Sequence, residues 1–285
     1  MGNVVKILGV RQSLIGDCIM SLPVLNLIKK TYPNRHVYWH LAKKCSQASP
    51  LFVNHPLINE TVITDCEEGF GAQDIKLANE CDVVFNTTPE HPLQQNWHNY
   101  RSMAEETWVM AGLPLKEYQN LSKEERCPKL HKWFDTENLN KTIAIHCFAG
   151  YGRDNHRSPN ETWWNTLVGE LINLGYDVVR LGHPAEPSLF HHKDYRSMSF
   201  FDQVKIALGS SLYIGTDSGF SLVVGSYSHP QVTLLTNWNV GHRDNHNCLE
   251  PLNDNNISLF NPFNKGGCTG INIEDVIKSV NSIIK

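Results

Sequence analysis

The chain has 285 residues, 41% of them hydrophobic and 19% charged, which excludes a disordered protein and suits two domains of ordinary size or one large one. A net charge of −4 and a pI near 6.4 exclude a chain drawn as a whole to nucleic acid or an anionic membrane, and leave open only a local basic patch around Lys29, Lys30, Lys43 and Lys44. The eight cysteines form no CxxC pair, which argues against a zinc knuckle or redox motif, and no apolar run has the ~20 residues of a membrane helix. "MGNVVKILGV" reads as a strand rather than a signal peptide, so the expected location is cytoplasmic, with free, mostly buried thiols.

In chain order, "VVKILGV" is an apolar run typical of a parallel core strand. A helix from about Ser21 to Thr31 stops at "YPN". "RHVYWHLA" and "ETVITD" are the next strands, "AQDIKLANEC" is a helix, and "DVVFNTT" is a further strand. "NWHNYRSMAEETWVMAGL" has the spacing of a long amphipathic helix, with Tyr100, Met103, Thr107, Met110 and Ala111 on one face. From Pro114 to about Asn140 the pattern weakens into a polar connection, with room for one short strand or helix. The second half repeats the alternation. "KTIAIHCF" is a strand and "ETWWNTLVGELINLG" a helix closed by Gly175. "YDVVRLG" is a strand, "FFDQVKIALGSS" a helix and "LYIGTDSG" a strand. A short helix through Ser226, the strand "QVTLLT", a polar loop from Asn237 to Asn256 and the helix "NIEDVIKSVNSIIK" complete the chain. Two α/β halves predict two Rossmann-like domains, 1–125 and 140–285, facing a central cleft, with a connection over about 114–140. The last helix is a candidate to pack back on the N-terminal domain.

Four segments carry candidate chemistry. Asp17 follows the first strand, where an N-cap is the ordinary role of an aspartate. Pro23 fits badly in a helix that begins there, and Ser21 offers itself as the cap of the main helix, which leaves Asp17 as either a cap of a short turn or a spare carboxylate. "IGTDSGFSLVVGS" runs a buried strand into a helix of small residues. Its turn reads either as a diphosphate site on backbone N–H groups or as an ordinary turn capped by Asp217. "HCFAGYGRDNHRSPNETWW" places Gly150, Gly152, Arg153, His156 and Arg157 on a loop after a strand end, a pattern suited to phosphate or to solvent. In "GHRDNHNC", His242, His246 and Cys248 could suggest a metal, but no helix holds them on one face. A cleft-lining loop is the preferred reading, and no metal or cofactor is expected. The pair His191 and His192 has still less support.

With these residues in place, the chain resembles glycosyltransferase family 9, the bacterial heptosyltransferase family. The motifs that carry the likeness are "GDCIMSLPVLNLIKKTYPNRHVYW", "IHCFAGYGRDNHRSPNETWWNTLVGELINLGYDVVRLGHPAE", "SMSFFDQVKIALGSSLYIGTDSG" and "CTGINIEDVIKSV", in the family's order. The resemblance implies a GT-B fold with the acceptor on the N-terminal domain and a nucleotide-sugar on the C-terminal one. It implies an inverting, metal-independent transferase with Asp17 as general base and with Ser13 and Gly16 on the acceptor side. Gly150, Arg153, His156, Arg157, His183, Met198, Asp217, Ser218 and Gly219 fall on the donor side. Three positions depart from the family. His156-Arg157-Ser158-Pro159 stands where Lys-Arg-Trp-Pro is usual, Leu222 stands where a histidine is frequent, and Ser218 replaces a threonine.

The implied acceptor is a glycan or lipopolysaccharide core sugar. A modified DNA base, as in phage enzymes, is an alternative that the net acidity disfavours. A sugar-nucleotide epimerase and a non-catalytic sugar-nucleotide binder are further alternatives. An NAD-dependent oxidoreductase is disfavoured because "GVRQSLIGD" lacks G-x-G-x-x-G.

Overall fold

The computed structural model describes residues 4–11, 14–65, 72–86, 108–109, 112–149, 158–190, 193–235, 254–261 and 267–284. The chain divides into two compact units, with the passage between them at Trp133 and Phe134.

The first unit is built on a parallel sheet of β1 (Val5–Arg11), β2 (Arg35–Leu41), β3 (Glu60–Ile63) and β4 (Val83–Asn86) in the order β3-β2-β1-β4. Consecutive residues Ile7 and Leu8 are both fully buried, because a parallel sheet is covered on both faces. The connection from β1 to β2 is two short helices, α1 (Ile15–Met20) and α2 (Val24–Thr31). The break between them is Pro23, which has no N–H to extend α1 and takes the N-cap position of α2. The helix expected from about Ser21 to Thr31 is α2, which starts at Val24, and the short turn at Asp17 is α1; the expectation that Ser21 caps α2 is corrected. Ser21 ends α1 instead, and its hydroxyl donates to the Asp17 carbonyl at 2.7 Å. Residues Lys43–Phe52 form a run of 3₁₀ turns, and α3 (Ala72–Glu80) precedes β4. The long helix expected over 95–112 is described only at Trp108 and Val109, which are helical; its other residues lie outside the described ones. The polar connection contains α4 (Leu115–Gln119) and α5 (Lys123–Arg126). Ser122 and Glu125 form a capping box at the start of α5, and Lys30 of α2 pairs with Glu125 at 2.7 Å.

The four lysines do not form one patch. Lys29 and Lys30 end α2 just before β2 begins, whereas Lys43 and Lys44 follow the end of β2. Seven residues of extended strand, ~20 Å, separate the pairs.

The second unit holds a six-stranded parallel sheet in the order β10-β9-β8-β5-β6-β7. Its strands are β5 (Leu139–His146), β6 (Asp177–Leu181), β7 (Lys193–Asp194), β8 (Ser210–Thr216), β9 (Gln231–Leu235) and β10 (Asn256–Phe260). The crossover helices are α6 (Glu161–Asn173), α7 (Phe200–Gly209), α8 (Gly219–Ser226) and α9 (Ile273–Ile283). Asn160 caps α6 by accepting the Trp163 N–H at 2.9 Å, and Gly175 closes it with φ +87. That left-handed residue lets the Tyr176 N–H reach back to the Leu171 carbonyl at 3.1 Å. One face of the sheet meets α6 and α9 through Ile143, Ile145, Leu212, Ile214, Val232, Leu234, Trp164, Leu167, Val276 and Val280. The final helix, α9, thus packs in the core of the second unit.

The strand order reverses between β5 and β8, because the chain first builds outward through β6 and β7 and then returns through β8, β9 and β10. In an open parallel sheet that reversal leaves a crevice beyond the carboxyl ends of the two central strands, where ligands bind. No helix among the described residues is long and apolar enough to cross a membrane. Among them Cys18, Cys45, Cys127, Cys147 and Cys268 are buried and not in a disulfide.

Candidate functional site

At the carboxyl edge of the first sheet the chain turns from β1 into α1. Leu14 is extended (φ −79, ψ 165) and starts the helix without a side chain able to cap it. Asp17, in the first turn, reaches back so that its Oδ2 accepts the Leu14 N–H at 3.0 Å. The carboxylate therefore does a capping job from inside the helix. This satisfies one of the donors that a helix start leaves over and fixes the side-chain direction. Gly16 beside it is buried and Asp17 is half-buried. Ser13 lies outside the described residues.

At the carboxyl edge of the second sheet, β8 runs through Thr216 into Asp217 and Ser218. Ser218 is extended (φ −152, ψ 163) and its Oγ accepts the Ser221 N–H at 3.3 Å, so Ser218 is the cap of α8. Of the two readings of this turn, a cap is present but it is Ser218 and not Asp217, whose own N–H is tied to the Leu234 carbonyl of β9 at 3.0 Å. The N–H groups of Gly219 and Phe220 head α8, where a helix has no internal acceptor for them. With the dipole of an eight-residue helix behind them, they form a receptive spot for an anion at the strand-order reversal.

The loop carrying Gly150, Arg153, His156 and Arg157 lies outside the described residues, but both of its ends are described. The Ala149 N–H donates to the Ser158 hydroxyl at 3.0 Å, and both residues are buried. The loop therefore leaves and re-enters the structure at one point, the carboxyl end of β5. The segments with His191 and His192 and with His242, His246 and Cys248 are likewise outside. Among the described residues no group of three or more His, Cys, Asp or Glu side chains is gathered to hold a metal.

His183 and Met198 lie on two turns at the same edge, after β6 and before α7, and both side chains are exposed. Gly182 is in the left-handed region (φ +133), and a Cβ there would lie 2.5 Å from the Glu186 carboxylate. That carboxylate accepts the His183 N–H at 2.8 Å and pairs with the buried Arg180 at 3.2 Å. Burial raises the Glu186 proton affinity, and the His183 N–H and Arg180 oppose the rise.

No protein-family model matches the chain, and no curated protein matches it. Solved structures do. A glycosyl transferase family 9 structure from Veillonella parvula superposes over 100% of this chain and 98% of its own, at 15% identity and a TM-score of 0.72. ADP-heptose lipopolysaccharide heptosyltransferase II of E. coli covers 99% of this chain and 98% of its own, at 15% identity and 0.62. E. coli heptosyltransferase WaaC, solved with ADP, covers 98% of this chain and 100% of its own, at 13% identity and 0.66. The chain has the fold of glycosyltransferase family 9.

Within that GT-B frame the structure gives physical meaning to two of the departures seen in sequence. Ser158, in place of a tryptophan, supplies the hydroxyl that closes the base of the β5–α6 loop. Leu222, in place of a histidine, is buried in α8 at 5% exposure, so that position is apolar here. The structure also brings to the site residues that sequence reasoning did not single out. His146, the last residue of β5, stacks on Phe220 of α8 with centroids 5.0 Å apart and planes 8° apart. Burial and then the nearby Arg180 hold its pKa down at about 4, so the imidazole is neutral near pH 7, and its Nδ1 has no partner among the described residues. Gln203, on the buried face of α7, bonds to both turns that carry His183 and Met198. At the first sheet, buried His40 places Nε2 2.6 Å from Asp74 Oδ1, and Thr64 donates to the other Asp74 oxygen. The available signal for Gln203 was a lone amide among apolar residues in "FFDQVKIALG". His40, Asp74 and Thr64 gave none, because they come from three separate elements.

Proposed function

We propose that the chain is an inverting, metal-independent glycosyltransferase that moves a sugar from a nucleotide diphosphate donor to an acceptor hydroxyl, with the first unit holding the acceptor and the second the donor. The observation that carries this reading is the Ser218-capped turn at the strand-order reversal of a sheet in the family 9 fold. It offers backbone donors where a diphosphate would lie, and one solved structure of that fold is described with ADP. The matching placement of a half-buried carboxylate, Asp17, at the carboxyl edge of the other sheet supports it.

In this mechanism Asp17 accepts the proton of the acceptor hydroxyl as the oxygen attacks the anomeric carbon from the face opposite the nucleotide. The bond from that carbon to the donor phosphate oxygen breaks, and the nucleoside diphosphate leaves with the electron pair. Its growing charge is met by the Gly219 and Phe220 N–H groups, the Ser218 hydroxyl and the loop cations Arg153, His156 and Arg157. His183 and Met198 border the nucleobase, Gly150 lets the loop approach the phosphates, and Asp217 fixes the turn from the strand side. Ser13 and Gly16 line the acceptor side. The heptosyltransferase structures support an ADP-sugar as the first donor to try, and a glycan core sugar as the first acceptor. The work is cytoplasmic, where nucleotide-sugars are made.

Asp17→Asn is the discriminating test, because an amide oxygen can still accept the Leu14 N–H while the base is lost. Transfer is expected to fall by about 10²–10⁴-fold with nucleotide affinity and melting temperature unchanged. A variant that transfers at the wild-type rate removes Asp17 from the mechanism. Full activity in excess EDTA is expected from the metal-free reading, and loss that Mg²⁺ restores would overturn it.

A further inference from the structure

Gln203 joins two segments that are 16 residues apart in sequence at Gly182 and Met198. Its Oε1 accepts the Gly182 N–H at 2.7 Å, and its Nε2 donates to the Gly182 carbonyl at 3.1 Å and to the Met198 carbonyl at 3.0 Å. The side chain is only 5% exposed, and each of its amide polar groups is used. Arg196 ties the same segments a second time. Its guanidinium grips Asp194 and donates to the Glu186 carbonyl at 2.7 Å. The Met198 N–H closes its own turn on the Tyr195 carbonyl at 3.0 Å. The result is a paradox for an ordinary surface loop. The backbone is over-determined from beneath by buried polar groups, while the residues it displays, His183 and Met198, are exposed. A large apolar side chain held out on a rigid turn is how a preorganised binding edge is built.

We propose that Gln203 is a positioning residue that clamps the His183 and Met198 turns into one preformed edge against which the donor nucleobase packs, so that it controls base affinity and base preference without touching the donor. The proposal rests on the reading above that these turns face the donor. Without the clamp the direct tie between Gly182 and Met198 is lost and only Arg196 joins the two segments, so the edge is held less closely and more of its ordering falls to the binding of a base. The diphosphate contacts at the head of α8 are on another turn and are unaffected.

The test compares ADP, GDP, UDP and inorganic pyrophosphate on the full chain by titration calorimetry, with donor kinetics alongside. Wild type is expected to prefer one base. Gln203→Met keeps the length but loses every amide bond, and is expected to bind the preferred diphosphate about tenfold or more weakly, with the base preference flattened. Pyrophosphate affinity and kcat at saturating donor are expected to stay unchanged while KM for the donor rises. Gln203→Glu keeps the acceptor for Gly182 but sets a carboxylate against two carbonyls. Its defect is expected at pH 7.5 and to be partly relieved near about pH 5, where protonation restores one donor. The proposal is overturned if Gln203→Met keeps wild-type preference and affinity, or if nucleotide and pyrophosphate weaken in step, as a general loss of structure would give. A different result, wild type binding pyrophosphate as tightly as any nucleotide, removes the nucleobase reading of these turns itself.

Discussion

His40 has no accessible surface, and Asp74 has 1%. Replacing His40 by leucine would leave the Asp74 carboxyl group in the interior without its His40 partner. Loss of a buried pair in this way costs about 3–5 kcal/mol, so His40→Leu is expected to lower stability by that order in urea titration. Adding Asp74→Leu should return part of the loss, since two apolar groups need no partners. His146 is kept neutral by its surroundings. Its pKa is about 4 in the folded protein against 6.5 as the ordinary value, so the unfolded chain takes up the proton first. Stability from this group is fully present above pH 6.5 and is lost as pH falls toward about 4, by roughly 2–3 kcal/mol. His146→Gln is expected to flatten the difference between urea midpoints measured across that window. A variant with the wild-type pH slope would show that other groups set it. Neither histidine was legible as a site residue in sequence. Burial of an imidazole depends on what the neighbouring strands and α8 bring over it.

Elements with a strong period were readable, and weak ones were not. α6, α8 and α9 begin and end close to where periodicity, Asn caps and Gly175 place them. β7, of two residues, and the half-exposed edge strand β10 carry no apolar run that would reveal them. The 3₁₀ turns of Lys43–Phe52 contain Pro50 and no helical period. At the start of α1 the sequence posed cap against catalyst for Asp17, and the structure shows the capping contact. For α8 the deciding group is Ser218. Ser218→Ala removes the acceptor for the Ser221 N–H and is expected to cost about 1 kcal/mol, while Ser218→Thr keeps it. Thermal melts of the two variants check the cap. If the turn also holds the diphosphate, Ser218→Ala weakens nucleotide binding in the same preparations.

The whole chain is two units, each with its own sheet and core, joined where consecutive residues are anchored on opposite sides. Trp133 donates to the Pro50 carbonyl of the first unit at 2.9 Å, and Phe134 packs edge-on against Phe201 at 4.9 Å in the second. Two cores of this kind are expected to give separable transitions in calorimetry. ADP should raise the one belonging to the unit with α8, and His40→Leu should lower the other. A single transition moved equally by both would contradict that division. The sequence alone determined the alternation of apolar strands and helices, the two-part organisation and the glycine-, serine- and proline-marked turns, because these depend on residues close together along the chain. Only the tertiary structure decided that strand order reverses between β5 and β8, that Ser218 rather than Asp217 caps α8, that Ser158 closes the loop base, and that Gln203 spans two turns. Each of those depends on which distant backbone groups are left without a partner, and that is settled only when the sheets are assembled.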